Sequence, residues 1–297
     1  MNILVSGGTG FVGTALIAGL RADGHRVRVL TRRREETGPD TPFWNPEAGE
    51  IDRAAFAGTD AVINLSGSTI ATRWTAEKKK EIKESRLRCT ALLATTIAGL
   101  NERPSVFVSA SAVGLYGDRG DEMITESSAP GTDYLAGVCV AWEAAAAPAR
   151  DAGVRVVHPR LGLVLSPAGG LLKQMLTPFR AGIGGPVGSG KQWWSWVVLH
   201  DVVSAIRYAL VTAAVRGPVN VVAPHPVPNA EFAKVLGAVL GRPAAMPIPA
   251  MALRLLFGEA ADGAILTGVR VSPSALEAAG FTFAHPDLEP ALRHLLA

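Results

Sequence analysis

The feature that most constrains this chain is a glycine turn between its first strand and its first helix. The apolar run at residues 3–6 leads directly into Ser-Gly-Gly-Thr-Gly-Phe-Val-Gly, and an Ala- and Leu-rich stretch follows. In this context glycines permit a tight turn, and the amides at the helix N-terminus bind a diphosphate. The spacing is G-x-x-G-x-x-G rather than G-x-G-x-x-G, but strand, turn and helix together predict a dinucleotide site. The predicted contacts at this turn are Gly7, Thr9, Gly10, Phe11, Val12 and Gly13.

Short β-branched runs and helical stretches alternate along the first half of the chain. The runs are residues 3–6, 27–30, 61–65, 106–109 and 154–158, and the helical stretches are 13–23, 76–100 and 138–151. This alternation is typical of βαβ units with right-handed crossovers and a parallel sheet that is covered on both faces. We therefore expect an α/β fold, a Rossmann-type doubly wound parallel sheet with a smaller, mostly helical C-terminal cap.

The alternation breaks after about residue 166, which divides the chain into two parts. Residues 1–165 form the predicted dinucleotide-binding domain, and 195–223, with a helix at 201–213 capped by Asp201 and a strand at 219–222, are expected to rejoin it. The Gly-rich segment 166–194 is expected to be irregular. Prolines separate short helices from residue 224 onward, so 166–194 and 224–297 are predicted to form the cap on the substrate side.

Composition excludes several classes of protein. Hydrophobic residues make up 48% and charged residues 19%, which argues against disorder, and a net charge of +3 is too small for a nucleic-acid-binding field. No apolar run approaches the length of a membrane span and no leader pattern begins the chain, so we expect a cytoplasmic protein. The two cysteines and six histidines show no metal-ligand spacing, which predicts no metal site.

The end of the second strand indicates which dinucleotide is bound. NAD sites usually place an acidic residue here for the ribose 2′-hydroxyl, but this chain has Thr31, Arg32, Arg33 and Arg34 before the first acid at Glu35. A guanidinium pairs with a 2′-phosphate, which a carboxylate would repel. The sequence therefore predicts NADP(H), with Thr31, Arg32 and Arg33 as contacts.

A second glycine-rich stretch, residues 185–191, matches most of a nucleoside triphosphate-binding loop. Gln192 stands where the Mg²⁺-binding Ser or Thr should be, and no strand is predicted before the stretch. We interpret the stretch as a loop that shapes a pocket rather than a phosphate site.

These motifs together resemble those of atypical extended short-chain dehydrogenases/reductases, the NAD(P)-dependent epimerase/dehydratase-like (nucleoside-diphosphate-sugar epimerase-like) subgroup. The similar stretches extend over nearly the whole chain. They are residues 7–13, 64–67, 73–75, 85–86, 109–117, 142–143, 182–185, 200–201, 217–220 and 280–281.

The resemblance implies roles for residues that their own chemistry does not assign. Leu65, Ser66 and Gly67 match the segment that passes the adenosine and ribose, and Leu163 matches a position near the nicotinamide. The remaining implied cofactor contacts are Glu81, Arg86 and Ser109. From the sequence alone, the charged residues of the helix at 76–100 are expected to face solvent. Arg86 is the exception, because it enters an apolar stretch and there needs a partner.

The catalytic residues of the wider family are only partly present. Those enzymes use Ser, Tyr and Lys, and Ser111 and Tyr134 are the predicted catalytic pair here, with Ser109 as the alternative serine. In the Tyr-x-x-x-Lys pattern Val138 takes the place of the lysine, and a shift by one residue gives Leu135 and Cys139, which restores neither group. Without a nearby cation Tyr134 should remain protonated, which favours reduction of a carbonyl over epimerisation.

Two hypotheses of function follow. The first is an NADP(H)-binding oxidoreductase or epimerase-like enzyme that acts on a small polar substrate such as a sugar nucleotide. The second is a non-catalytic NADP-binding sensor or interaction protein that has lost the family lysine. The resemblance also implies a homodimer, although no apolar stripe in the sequence indicates one.

Overall fold

The computed structural model describes all residues from 1 to 297, in alternating strands and helices. The strands are β1 (Asn2–Ser6), β2 (Arg26–Val29), β3 (Trp44–Asn45), β4 (Glu50–Ile51), β5 (Ala61–Asn64), β6 (Val106–Ser109), β7 (Ser111–Ala112), β8 (Met123–Ile124), β9 (Arg155–Leu161), β10 (Leu163–Leu165), β11 (Trp193–Trp194), β12 (Trp196–Val198), β13 (Gly217–Val221), β14 (Val227–Pro228) and β15 (Arg270–Val271). The helices are α1 (Phe11–Ala22), α2 (Ala76–Ala98), α3 (Tyr134–Ala144), α4 (Ala147–Asp151), α5 (Gly170–Arg180), α6 (Leu199–Val211), α7 (Asn229–Leu240), α8 (Ala250–Phe257), α9 (Ser274–Ala278) and α10 (Leu288–Leu296).

The centre of the molecule is a sheet of seven strands whose pairings are all parallel. Its order is β13-β9-β6-β5-β1-β2, and β7 pairs with β9 beside this path. The strand order reverses at β1, and such a reversal places a crevice at the carboxyl ends of the strands. The predicted α/β, Rossmann-type fold with a helical C-terminal part is confirmed.

Both faces of this sheet are buried, which explains why its strands are apolar at successive residues. In β1, Ile3 and Val5 belong to a core with α1 and α6, whereas Leu4 belongs to a core with α2 and α4. All three side chains are fully buried, and burial of each contributes about 1.5–3 kcal/mol. The helices on both faces thus fix the carboxyl edge of the sheet as the open end of the domain.

The segment from 166 to 194 corrects one expectation, because it contains the 11-residue helix α5. Leu172, Met175, Leu176 and Phe179 recur at helical spacing and are buried. They pack with residues of α7, α10, β11 and β12 in the core of the cap. The glycines on either side of α5 hid this periodicity, so the prediction of an irregular segment was wrong over 170–180.

Two predicted helices also differ from the structure. The helix predicted at 138–151 begins at Tyr134 and is interrupted before α4, so it is two helices. Asp201 does not cap α6, which begins at Leu199. Its carboxylate is buried and accepts hydrogen bonds from the amides of Ala284 and His285, which fastens the C-terminal segment to the first turn of α6. No helix combines the length and the apolar character needed to cross a membrane.

Candidate functional site

The predicted cofactor residues converge on the carboxyl edge of the sheet because parallel strands all end there. Residues 7–13 follow β1, residues 31–33 follow β2, and residues 65–67 follow β5. Ser109 is the last residue of β6, and Leu163 follows β9. The structure therefore brings together loops that are up to about 150 residues apart in sequence.

The glycine turn has the backbone geometry that only glycine permits. Gly7 has a φ of +74°, and a Cβ atom on it would lie 2.6 Å from the carbonyl carbon of Leu65. A Cβ atom on Gly13 would collide with the carbonyl oxygen of Gly7. These two glycines let the turn pack against the loop after β5 and let α1 pack against the turn.

The first turn of α1 presents amides that have no partner within the protein. No backbone carbonyl and no side chain accepts from the N–H groups of Phe11, Val12 and Gly13. The N-cap residue is Gly10, which makes no side-chain cap, and the first turn holds no acidic residue. Unpaired amides with the positive end of a helix dipole are suited to a phosphate group. The turn therefore fits the diphosphate of a dinucleotide.

The three arginines after β2 differ in what their guanidinium groups contact. Arg33 pairs with Glu36 at 2.6 Å, and Arg34 pairs with Glu50 at 3.0 Å. Arg32 makes no hydrogen bond and no ion pair, and its side chain is exposed. Arg32 is thus the member of the group whose charge is available to a ligand.

A buried polar network that the sequence analysis did not predict lies beneath these loops. Asn64, at the end of β5, accepts from the hydroxyl of Ser6 at 2.7 Å and from the amide of Ser66 at 3.1 Å. Its amide nitrogen donates to Thr90 at 2.8 Å and to Ser109 at 3.3 Å. Asn64 is fully buried, so these bonds fix the height of the loop at 65–67 above the sheet.

A cavity of about 220 Å³ opens between the sheet edge and the cap. More of its lining residues are hydrophobic than polar. The lining residues are Ile70, Arg86, Ala112, Val113, Gly114, Gly117, Asp133, Leu135, Val138, Cys139, Trp142, Leu161, Gly162, Leu163, Trp193, Trp194, Ser195, Gly263, Ala264, Thr267, Gly268 and Val269.

Helix α3 turns Leu135, Val138, Cys139 and Trp142 toward this cavity. Tyr134 is not among the lining residues: its ring packs on Trp74, and its hydroxyl donates to the carbonyl of Lys79. Of the two positions in the Tyr-x-x-x-Lys pattern, Val138 therefore lines the cavity and Tyr134 does not, and the other two residues of α3 one turn apart on the wall are Leu135 and Cys139.

The Cys139 thiol on this wall is unreactive at neutral pH. Burial raises the pKa of Cys139 to about 12, so the thiol stays protonated at neutral pH and is neither a nucleophile nor a base. Burial likewise raises the pKa of the Tyr134 phenol above its usual value. Neither Tyr134 nor Cys139 of α3 therefore titrates near pH 7.

Ser111 belongs to a buried ion-pair network rather than to the cavity wall. Its hydroxyl donates to Glu143 at 2.7 Å, and Arg160 binds both oxygens of that carboxylate at 2.8 and 2.9 Å. Burial alone would raise the pKa of Glu143, but the hydrogen bonds from Arg160 and Ser111 lower it. Arg160 also donates to the hydroxyl of Tyr116 at 2.8 Å, so the network links β7, α3 and β9.

Arg86 is the cation of the cavity wall. Its Nη1 donates to the carbonyls of Ser68 and Ile82, each at 3.0 Å, and its guanidinium lies 5.1 Å from the centre of the Trp142 ring. No carboxylate lies within ion-pair distance, and burial lowers its pKa from the usual value. Glu81 points elsewhere: it is exposed and pairs with Lys78 at 2.9 Å.

The glycine-rich loop at 185–191 caps a helix instead of binding phosphate. The carbonyls of Gly190 and Gln192 accept from the amides of Ala230 and Asn229, each at 2.9 Å, at the start of α7. A phosphate-binding loop does the reverse, since its amides point inward and donate to the ligand. The amides at the N-terminus of α7, which could otherwise attract an anion, thus already donate to carbonyls of this loop.

Comparison with known proteins gives matches along the whole chain. The model of the NAD dependent epimerase/dehydratase family matches residues 3–222, and the model of a domain of unknown function matches residues 248–295. Epimerase family protein Mb2239 from Mycobacterium bovis is 42% identical over 291 residues, which are 98% of this chain and 96% of the relative. Epimerase family protein SDR39U1 from Homo sapiens is 37% identical over 301 residues, with both chains covered completely.

Solved structures agree with these matches. The crystal structure of the human epimerase family protein SDR39U1 (isoform 2) with NADPH has a TM-score of 0.90 at 36% identity and covers 99% of each chain. MoeE5 in complex with UDP-glucose and NAD has a TM-score of 0.76 at 21% identity, which shows a shared fold only.

Proposed function

The chain belongs to the NAD dependent epimerase/dehydratase family, and from that premise we propose that it is an NADP(H)-dependent oxidoreductase acting on a small substrate in the cavity beside α3. The observation that carries the proposal is the combination of unpaired amides at the start of α1 with the unpaired Arg32 after β2. The NADPH in the structure of the human relative supports the same cofactor.

In this proposal separate parts of the chain hold separate parts of the cofactor. The amides of residues 11–13 donate to the diphosphate, and Arg32 pairs with the 2′-phosphate. Residues 65–67 pass the adenosine and ribose, and Leu163 lies near the nicotinamide end. When bound, the nicotinamide supplies or accepts a hydride.

The cavity then determines which chemistry the chain's own residues can assist. Most of its lining residues are hydrophobic, and a wall of low polarity strengthens electrostatic interactions inside it. Arg86 would stabilise negative charge that develops on a substrate oxygen. Leu135 and Cys139 offer no proton relay near pH 7, so the chain is suited to a single hydride transfer with a proton from solvent. It is poorly suited to epimerisation, which needs a base that works in both directions.

A second candidate function is a non-catalytic NADP(H)-binding sensor. The observation that favours it is the same wall of α3, where Leu135 and Cys139 stand at the positions facing the cavity. In this case the cavity would close around the nicotinamide without a substrate, and the cap would transmit the state of the cofactor.

Two measurements on the same preparation test the proposal. Calorimetry with NADPH tests cofactor binding, and NADPH oxidation tests turnover over a panel of aldehydes, ketones and UDP-sugars. We expect Arg86→Gln to reduce turnover at saturating NADPH, and Tyr134→Phe, whose ring packs outside the cavity wall, to serve as the matched control. Tight NADPH binding with no turnover of any substrate would favour the sensor, and no binding of NADPH would refute both functions.

A further inference from the structure

One arginine of the C-terminal part lacks every ordinary partner although it is partly buried. The side chains of five arginines make neither a hydrogen bond nor an ion pair. Four of these side chains are exposed to solvent, namely those of Arg32, Arg53, Arg180 and Arg242. Arg270 is the fifth, and it is the partly buried one. Its Nε atom is buried and has no acceptor. A buried donor without a partner destabilises the folded state, so its position calls for an explanation.

Arg270 lies against the wall of the cavity. Its guanidinium stacks on the ring of Trp193 at 4.5 Å from the ring centre, and Trp193 lines the cavity. The residues just before Arg270, at 267–269, line the same cavity. The Arg270 guanidinium therefore adjoins the cavity wall through Trp193 and through the chain at 267–269.

The acidic residues near Trp193 are already engaged. The indole nitrogen of Trp193 donates to Asp121 at 2.7 Å, and Glu122 is bound by Arg119 through two hydrogen bonds of 3.0 Å. Neither carboxylate pairs with Arg270. Trp193 is thus held by Asp121 through its indole nitrogen and offers its face to Arg270, whose guanidinium N–H groups have no acceptor within the protein.

We propose that Arg270 binds the anionic group of the substrate, so that the substrate is a small molecule with an apolar reactive part and one carboxylate or phosphate ester. A guanidinium presents parallel N–H groups that match two oxygens of such an anion. The volume of about 220 Å³ is below the range of about 300–1,000 Å³ for drug-sized ligands, which limits the enclosed part to a small group. This inference rests on the proposed function, because it assigns the substrate of the same cavity.

The inference also gives a role to the segment that matches a domain of unknown function. Arg270 lies within residues 248–295, and α3 and the sheet edge lie within residues 3–222. The N-terminal part would then hold the cofactor and the reacting atoms, and the C-terminal part would recognise the charge of the substrate.

Nuclear magnetic resonance of the arginine Nε–H and tryptophan indole N–H groups tests this directly. The full chain is titrated with benzoate, phenyl phosphate and benzyl alcohol, which share a ring and differ in charge. The Arg270→Lys and Trp193→Phe spectra assign the two signals. We expect benzoate or phenyl phosphate to shift both signals saturably and to bind on the order of tenfold to a hundredfold more tightly than benzyl alcohol, as loss of one charge-assisted pair predicts.

Variants and the cofactor provide the controls. Arg270→Gln should remove the preference for the anion, and Arg150→Gln, at an exposed ion pair of α4, should leave it intact. Equal affinity for the three probes, or a preference that survives Arg270→Gln, would overturn the inference. Calorimetry with NADPH on the same samples separates the two failures, because binding of NADPH without anion preference leaves the proposed function standing.

Discussion

Replacement of Arg32 by Ala should weaken binding of NADPH far more than binding of NADH. Arg32 has no partner in the protein, so its removal breaks no internal contact and the folded state should be unchanged. A hydrogen bond to a charged group is worth about 1.5–3 kcal/mol, which corresponds to roughly tenfold to a hundredfold in the dissociation constant for NADPH. NADH has no 2′-phosphate, so its dissociation constant should change little. Calorimetric titration with both cofactors measures the two values.

Arg33 provides a matched control for this experiment. Its guanidinium is bound to Glu36 at 2.6 Å, so Arg33→Ala removes a charge that is already neutralised locally. We expect a much smaller loss of NADPH affinity than for Arg32→Ala, and a loss for Arg32→Ala that shrinks as salt rises, since the site is exposed. Equal weakening of NADPH and NADH by Arg32→Ala, or equal effects of the two variants, would refute the assignment.

Three further predictions concern groups that are buried or half-buried. Glu143→Gln leaves the guanidinium of Arg160 buried without its anion, and we expect urea unfolding to show a loss of about 3–5 kcal/mol. Burial lowers the pKa of His158 below its usual 6.5, so the unfolded chain takes up the proton first, and the free energy of unfolding should fall as the pH decreases through about 6.5, with a smaller slope in His158→Gln. Tyr134→Phe loses one hydrogen bond, to Lys79, and should cost about 1 kcal/mol of stability without changing turnover.

Each of these three predictions has either a control variant at the surface or a result that would contradict it. Glu84 forms a solvent-accessible ion pair with Arg88 at 2.7 Å, so Glu84→Gln should lower the free energy of unfolding by less than about 1 kcal/mol. An equal cost for Glu143→Gln would contradict the role of the buried pair. A pH dependence that is the same in His158→Gln as in the parent chain would contradict the effect of burial on His158. Loss of turnover in Tyr134→Phe would show that the phenol reaches the substrate.

The sheet was predictable because its signals are local. Each signal lies within a few residues of the element that it determines. These signals are Gly7 and Gly13, the β-branched runs and the helical stretches. Helix α5 was missed because the glycines around it outweighed four core positions at helical spacing. The start of α3 is signalled by Asp133, whose carboxylate accepts from the amide of Ala136, whereas the Ala-rich run at its end consists of strong helix formers and contains no stop signal.

The candidate site was predictable only where one loop determines it. Arg32 is unpaired because the neighbouring Arg33 and Arg34 form the ion pairs with nearby carboxylates. The spacing of these residues in the sequence does not show which arginine will pair. Ser111 illustrates the limit: its sequence context suggests a hydroxyl facing a cleft, but its partner Glu143 is 32 residues away. Arg270 carries no motif at all, and its position beside Trp193 arises from the packing of the cap against the sheet edge.

The wall of α3 also bears on attempts to re-engineer this scaffold. Leu135→Tyr with Cys139→Lys would place a phenol and an amine one turn apart beside the cavity. However, the burial that raises the pKa of the Cys139 thiol would lower the pKa of an ammonium group at the same place, whereas the Glu143 carboxylate would raise it and the Arg86 guanidinium would lower it. A lysine grafted there would therefore be pulled in opposite directions by its surroundings, and its ability to activate the phenol would depend on the balance between burial and these two charges. Conversion to a conventional dehydrogenase would thus depend on the surrounding wall as well as on the two substitutions.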